Sequence, residues 1–197
     1  MSKKATKIQF HLDFDTKLVT KDPSIWVSSN DAKARYDTHK NSAEDLNYFN
    51  YHKRIFDEFI GIYIKQGNVL DYGCGEGAMQ SKFIPNLQLY DLYYHKNETI
   101  FNQTFDTIIL IETVEHFESP WTEIERLIHL LEPQGRLLIQ TLFYPNFENI
   151  SSWWYVRDVT HVSFFCLETF EYMCKRYGMR MIYTDFISRV VLEKSVL

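Results

Sequence analysis

The chain has 197 residues, of which 45% are hydrophobic and 24% charged, with a formal net charge of −5. That length and balance suit a single globular domain with a substantial core. An acidic chain carries no electrostatic footprint for a polyanion, which disfavours nucleic acid as a partner. No apolar run reaches the length of a membrane span and no signal peptide is visible, so a cytoplasmic protein without membrane contact is expected. Cys74, Cys166 and Cys174 are odd in number and widely spaced, which predicts neither a disulfide framework nor a metal site. The oligomeric state is not readable from these features.

Along the chain, Ile8, Phe10, Leu12 and Phe14 alternate with polar residues, predicting a short strand or extended arm. Asp22-Pro23-Ser24 signals a turn. Leu46, Phe49, Ile55, Phe56, Phe59, Ile60 and Tyr63 recur at helical spacing, predicting a helix from about Ala43 to Ile64 with Gly67 as its stop. These features divide the chain into an N-terminal arm and lid segment, 1–42, and a main domain, 43–197.

A first core strand, Asn68 to Asp71, is followed by a short helix from Gly77 to about Phe83 and a second strand, Leu87 to Asp91. The continuous apolar run from Phe105 to Glu112 predicts a strand buried on both faces. A helix from Pro120 to Leu131 follows, with Ser119 as N-cap and proline at its first position. Pro133-Gln134-Gly135 turns the chain into a strand over 136–141. An irregular aromatic segment covers 142–165, then a helix spans Leu167 to Tyr177 with Gly178 as its stop. Strands near 180–186 and 189–193 are joined so tightly that only a hairpin fits. The alternation predicts an α/β fold: a doubly wound, mainly parallel sheet of Rossmann-like type, helices on both faces and an antiparallel last strand.

The chemistry concentrates at Val69-Leu-Asp-Tyr-Gly-Cys-Gly-Glu-Gly77, where an apolar strand runs into three glycines at alternate positions. Glycine accepts backbone angles that a Cβ forbids and lets a ligand approach the main chain. The spacing is not that of a dinucleotide-binding loop, and the lysine and hydroxyl of a P-loop are missing. Asp71 closes the strand, and Asp91 follows about 20 residues later, where an acid takes ribose hydroxyls.

These elements resemble the class I S-adenosylmethionine-dependent methyltransferases. The resemblance rests on residues 69–77, then Tyr90-Asp91, Phe105-Asp-Thr-Ile-Ile-Leu-Ile-Glu-Thr-Val-Glu-His116, Leu131-Glu-Pro-Gln-Gly-Arg-Leu-Leu-Ile139 and the terminal hairpin. Arg35 to Asn41 and Trp154 to Phe165 further resemble a bacterial subgroup of small methyltransferases of the type 11/23 kind. Longer members carry a zinc-binding arm in front. With no cysteine in its first 70 residues, this chain either lacks that arm or has lost its metal.

The resemblance implies S-adenosylmethionine as cofactor and S-adenosylhomocysteine as product. It assigns the methionine part of the cofactor to Asp71, Gly73, Cys74, Gly75 and Gly77, and the ribose to Asp91. A helix N-terminus after the loop is expected to offer N–H groups to the cofactor carboxylate. Glu112 and Thr113 are expected at the mouth shared by cofactor and substrate. The stretch between Asp91 and Ile108 is too short for the usual helix and strand, so either Tyr93, Tyr94, His95 and Asn97 serve the adenine or its edge is more exposed.

Methyl transfer is an in-line displacement in which alignment supplies much of the rate, and a general base adds about 10²–10⁴-fold. His161 is the candidate base, with Asp158 placed to orient it; the alternative is that both satisfy backbone groups in a long loop. Tyr36 and His39 are candidate lid residues, or else a solvated helix-entry segment. His116 is expected mainly to fix the connection after Glu112. Trp153, Trp154 and Tyr155 offer an apolar substrate wall or a piece of core. The reading is therefore methyl transfer to an oxygen or nitrogen of a small molecule. Its rivals are a non-catalytic binding or regulatory protein on the same fold and a nicotinamide-dependent oxidoreductase.

Overall fold

The architecture is taken from a computed structural model, which describes residues 8–38 and 44–196. Its centre is a six-stranded sheet in the order β4-β3-β5-β6-β9-β8. The strands are β3 (Val69–Tyr72), β4 (Gln88–Tyr90), β5 (Phe105–Ile111), β6 (Leu131–Gln140), β8 (Met179–Thr184) and β9 (Arg189–Lys194). β3 pairs in parallel with β4 and β5, and β5 with β6. β9 runs antiparallel to both β6 and β8, as the tight hairpin requires. The expected mixed sheet and reversed last strand are therefore observed.

The chain leaves β3 for β4 on one side and then crosses back to β5 on the other. This reversal opens a crevice at the carboxyl ends of β3 and β5, where open α/β sheets bind ligands. Asp71 and Glu112 stand at the two rims of that crevice.

Helices cover both faces, as expected. On one face α4 (Pro120–His129) and α5 (Leu167–Tyr177) bury Ile124, Leu127, Ile128, Phe170 and Met173 against Leu70, Ile108, Leu110, Leu137 and Ile139. On the other, α2 (Leu46–Ile55) buries Ile55. A wider π turn, Phe56–Ile60, adds Phe59 and Ile60, packed with Ile109, Ile111, Leu138 and Val191. The helix ends in the single turn α3 (Gly61–Tyr63). Each of these apolar side chains contributes roughly 1.5–3 kcal/mol on full burial, so packing holds the helices in place.

Several elements differ from expectation. The main N-terminal helix starts at Leu46, where Asp45 caps the N–H groups of Asn47 and Tyr48; the expected start at Ala43 lies outside the described residues. The segment after the glycines forms only a 3₁₀ turn, Met79–Lys82, because Ala78 takes a left-handed φ of 39° and breaks the helical path. No α-helix N-terminus faces the crevice there. Ser119 stands at the N-cap of α4 but its side chain caps nothing; Pro120 does occupy the first turn.

β6 begins at Leu131, and the expected turn at 133–135 is a looped-out irregularity in its pairing, with Gln134 at φ 62°. A second, small sheet joins β1 (Phe10–Leu12), β2 (Val19–Lys21) and β7 (Ser163–Phe164). It ties the N-terminal arm to the aromatic connection after β6, around Val19, Tyr144, Trp153, Tyr155 and Phe164. The remaining element, α1 (Ser29–Asp37), buries only Ala32.

Candidate active site

β3 delivers Asp71 to the crevice. Its side chain is 4% exposed and makes no hydrogen bond among the described residues. Burial, reinforced by Asp91, pushes its carboxyl up to about 7. A buried acid in this state favours a cationic partner.

The glycine loop then folds back on the end of β4. Gly73 N–H and Cys74 N–H both donate to the Tyr90 carbonyl, at 2.8 and 3.2 Å. Gly73 has φ +82°, and a Cβ there would stand 2.4 Å from Thr113 Cγ2. Gly75 also has a left-handed φ, +64°, yet a Cβ there would meet nothing within 4 Å. So Gly73 is glycine because of the protein's own packing, while Gly75 borders open space. Gly77 lies half-buried in the turn that follows. Cys74 is buried, and burial followed by the charges of Asp71 and Asp91 raises its thiol pKa, leaving it protonated.

Asp91 organises the neighbouring turn. Its Oδ1 accepts from the N–H groups of Tyr93 and Tyr94, and its Oδ2 accepts from Gly75 N–H at 3.0 Å. A carboxylate oxygen has two lone-pair directions, so Oδ2 keeps one for a further donor. The stretch before β5 is as short as expected, with Asp91 and His95 forming a single isolated bridge. Tyr93, Tyr94 and His95 serve docking contacts with α1 and Glu76, and Asn97 caps the next turn at Thr99.

On the opposite rim Glu112 leaves β5 with a left-handed φ of 50°, a strained conformation for a non-glycine residue. Its Oε1 accepts from Gln140 Nε2 at 3.2 Å, and its Oε2 from the Tyr155 hydroxyl at 2.9 Å. Arg189 Nε donates to Gln140 Oε1 at 2.9 Å, which fixes the orientation of that amide. Gln140 also reaches the Tyr51 hydroxyl, placing α2 beside the site.

Glu115 is fully buried and its Oε1 lies 2.6 Å from the same Tyr155 hydroxyl. One hydroxyl has one proton to give, so two carboxyl groups on a single tyrosine oxygen imply that one of them is protonated. Burial and then Glu115 push Glu112 up to about 8, and burial raises Glu115 as well. Thr113, between them in sequence, donates to the Ile111 carbonyl and packs on Gly73.

His116 and His161 stand beside this acid pair, with ring centroids 4.9 Å apart. His116 Nδ1 faces the Thr160 carbonyl at 2.9 Å, and His161 Nδ1 faces the Tyr155 carbonyl at 3.0 Å. A carbonyl only accepts, so both Nδ1 atoms carry hydrogen and both Nε2 atoms keep their lone pairs. Burial lowers both pKa values, that of His161 to about 3.

Asp158 does not orient His161 by a hydrogen bond. Its Oδ1 is taken by the N–H and hydroxyl of Thr160, and its Oδ2 by Arg35 at 3.0 Å. The Tyr155 carbonyl, a closer neighbour of the ring, does the orienting instead. Tyr155 itself is buried with its hydroxyl between two acids, so it is not part of an apolar wall, and Trp154 is 62% exposed.

Tyr36 projects from α1 onto this cluster. Its hydroxyl lies 3.0 Å from His116 Nδ1, and its ring packs edge-on against His116 and tilted against Tyr93. Ser29 to Tyr93, Tyr94 to Asp37 and Arg35 to Asp158 complete the docking of α1. His39, the other candidate lid residue, lies outside the described residues.

Sequence reasoning missed Glu115, Gln140, Arg189 and Tyr51. Glu115 is the fourth residue of Glu-Thr-Val-Glu115, a short acidic repeat that was legible. Gln140, a polar residue ending a buried strand, was a weaker signal. Nothing in the local sequence marks Arg189 or Tyr51.

A family model described as a methyltransferase domain matches residues 43–184, well over half of the chain. The chain belongs to that methyltransferase family. Its fold is that of the class I S-adenosylmethionine-dependent methyltransferases. The methyltransferase is similar in structure to the N-methyltransferase NodS from Bradyrhizobium japonicum WM9, crystallised with S-adenosyl-L-homocysteine. That likeness has a TM-score of 0.56 at 14% identity and covers 83% of this chain and 97% of the other. The plantazolicin methyltransferase BpumL, solved with a monoazolic desmethylPZN analog and SAH, gives a TM-score of 0.52 at 16% identity, covering 85% and 90%. An O-methyltransferase family protein from Burkholderia thailandensis gives 0.53 at 13% identity, covering 83% and 62%. At these identities the likeness concerns the fold alone. No curated protein sequence matches, and among the described residues no helix is long and apolar enough to cross a membrane.

Proposed function

We propose that this methyltransferase moves a methyl group from S-adenosylmethionine to an oxygen or nitrogen of a small molecule. The observation that carries the reading is Asp71: a buried carboxylate without a hydrogen bond, beside two left-handed glycines at the switch point of the sheet. A carboxylate held this way suits the ammonium of a methionine moiety. The open space beside Gly75 leaves room for a ligand against the main chain.

In this reading Asp71, Gly73, Cys74, Gly75 and Gly77 hold the methionine part, and the free lone pair of Asp91 Oδ2 takes a ribose hydroxyl. Glu112 and Thr113 line the mouth. When bound, S-adenosylmethionine supplies an electrophilic methyl group on a sulfonium. The protein's share is alignment, exclusion of water and handling of the acceptor proton. Neutral His161 offers an Nε2 lone pair there, held in place by the Tyr155 carbonyl. The half-deprotonated Glu112–Glu115 pair shares the hydroxyl of Tyr155, whose ring centroid lies 4.2 Å from that of His161.

Tyr36 belongs to a lid that α1 forms over the crevice. A covered crevice on an acidic chain favours a small acceptor over an extended polymer. The three cysteines are free thiols, in keeping with a reducing cytoplasm.

Calorimetric titration with S-adenosylmethionine and with S-adenosylhomocysteine tests the reading. Binding to both is expected, and absence of binding to either overturns it. Binding without turnover on a broad panel of hydroxyl and amine acceptors would instead mark a regulatory protein. His161→Ala is expected to lower turnover with cofactor affinity nearly unchanged.

A further inference from the structure

The sequence predicts no metal site, since its cysteines lack ligand spacing. Folding nevertheless brings three other donors together. One ligand atom from each of Glu115, His116 and His161 lies within 4.8 Å of the other two. They come from the 3₁₀ turn after β5, Val114–His116, and from the connection before β7. The backbone bond from Val162 N–H to the Glu115 carbonyl holds those two segments together at 2.8 Å.

Two independent features mark the cluster. Glu115 is 0% exposed, and its Oε2 has no hydrogen-bond partner while Oε1 is fixed by Tyr155. A buried carboxylate oxygen left unpaired is costly, and a cation removes the cost. Next, both histidines donate Nδ1–H to a backbone carbonyl. That bond fixes the tautomer and aims the Nε2 lone pair, which is how metal-ligating histidines are normally held.

We propose that Glu115, His116 and His161 form a binding site for a divalent transition ion of borderline softness, with zinc as the representative. Two imidazoles and one carboxylate are a zinc ligand set that leaves a fourth position open, as in catalytic rather than structural sites. Donors around a tetrahedral zinc stand roughly 3.4 Å apart for bonds of about 2.1 Å. The present spacing therefore needs each donor to move inward by under about 1 Å, within reach of side-chain rotation. Use of the fourth position for an acceptor atom rests on the methyltransferase reading, with His161 then a ligand in place of a base; the ion's seat does not rest on it.

The test uses the full chain, stripped with a chelator and dialysed. Zinc is titrated in competition with a chromogenic chelator, and cobalt(II) is added separately as a spectroscopic probe. The expected result is about one zinc per chain, with affinity reduced by about 100-fold or more in His161→Ala and in Glu115→Gln. Cobalt is expected to show the intense visible absorption of a low-coordinate site in the parent chain.

Thermal unfolding in chelator checks that the variants fold. If they do not, the cobalt spectrum of the parent chain decides alone, and the weak absorption of a fully hydrated ion overturns the proposal. Absence of zinc binding, or binding unaffected by both substitutions, also overturns it. Titration with S-adenosylhomocysteine runs in parallel on the metal-free chain. Zinc binding with no cofactor binding would sink the methyltransferase reading and leave the metal site standing; the reverse result would do the opposite.

Discussion

Replacing Asp71 with asparagine isolates the electrostatic cost of the site. The folded carboxyl sits at about 7 against an ordinary value of 3.8, first because it is buried and then because Asp91 is near. Folding therefore favours the protonated acid. Stability from this group is complete below pH 3.8, and it is lost as the pH rises towards and through about 7. At about 1.36 kcal/mol per pH unit, the difference amounts to roughly 4 kcal/mol, an order-of-magnitude figure for a group only 4% exposed.

Asparagine has nearly the same shape and no charge, so it escapes this pH dependence. Urea unfolding of both proteins at pH 4 and pH 8, extrapolated to water, is the assay. The gap between Asp71→Asn and the parent is expected to widen in favour of the variant by roughly 4 kcal/mol from pH 4 to pH 8. The same variant is expected to bind S-adenosylhomocysteine about 10–100-fold more weakly, the loss of a hydrogen bond to a charged group. A stability gap that does not change with pH would refute the account of Asp71 as a desolvated acid. Unchanged cofactor affinity would remove it from the proposed ammonium contact.

The two loop glycines with left-handed φ, Gly73 and Gly75, should part company. Gly73→Ala, aimed at Thr113, is expected to destabilise by about 3 kcal/mol or more, measured by urea unfolding. Gly75→Ala meets no atom and is expected to cost only about 1–2 kcal/mol, while sharply weakening cofactor binding in calorimetry. Tyr155→Phe leaves the Glu112–Glu115 pair without its shared hydroxyl and is expected to lose about 1–3 kcal/mol of stability along with most turnover. As α1 buries only Ala32, its amides are expected to exchange hydrogen faster than those of β5 and to slow when S-adenosylhomocysteine binds. Tyr94→Phe should speed that exchange with the melting temperature nearly unchanged; equal protection of α1 and β5 would remove the lid.

The sheet was legible because its strands carry the code locally. Phe105 to Ile111 is apolar at nearly every position, and only a strand covered on both faces uses such a run. The hairpin followed from its length, and the glycine loop at the crevice from a spacing that reflects backbone angles. Three features read less well, each because a neighbour overrides local preference. Residues 79–82 carry a helical pattern, yet the left-handed Ala78 restricts them to one 3₁₀ turn. Val19–Lys21 and Ser163–Phe164 are too short to announce themselves as strands, and each exists because the other segments of the small sheet pair with it.

The site divides in the same way. By itself the sequence determined the fold class, the glycine loop and the acids Asp71, Asp91 and Glu112, because those residues sit at strand ends whose position is set by local pattern. The tertiary structure alone decided what surrounds them. It placed Tyr155 between Glu112 and Glu115, turned Gln140 with Arg189, gave His161 a carbonyl rather than Asp158 as its anchor, and set His116 beside it. Apart from the His161–Tyr155 bond, which spans six positions, those contacts join residues 40 or more positions apart. Side-chain chemistry can be read from one stretch of chain, but burial, protonation and ligand geometry depend on neighbours that only the folded sheet brings together.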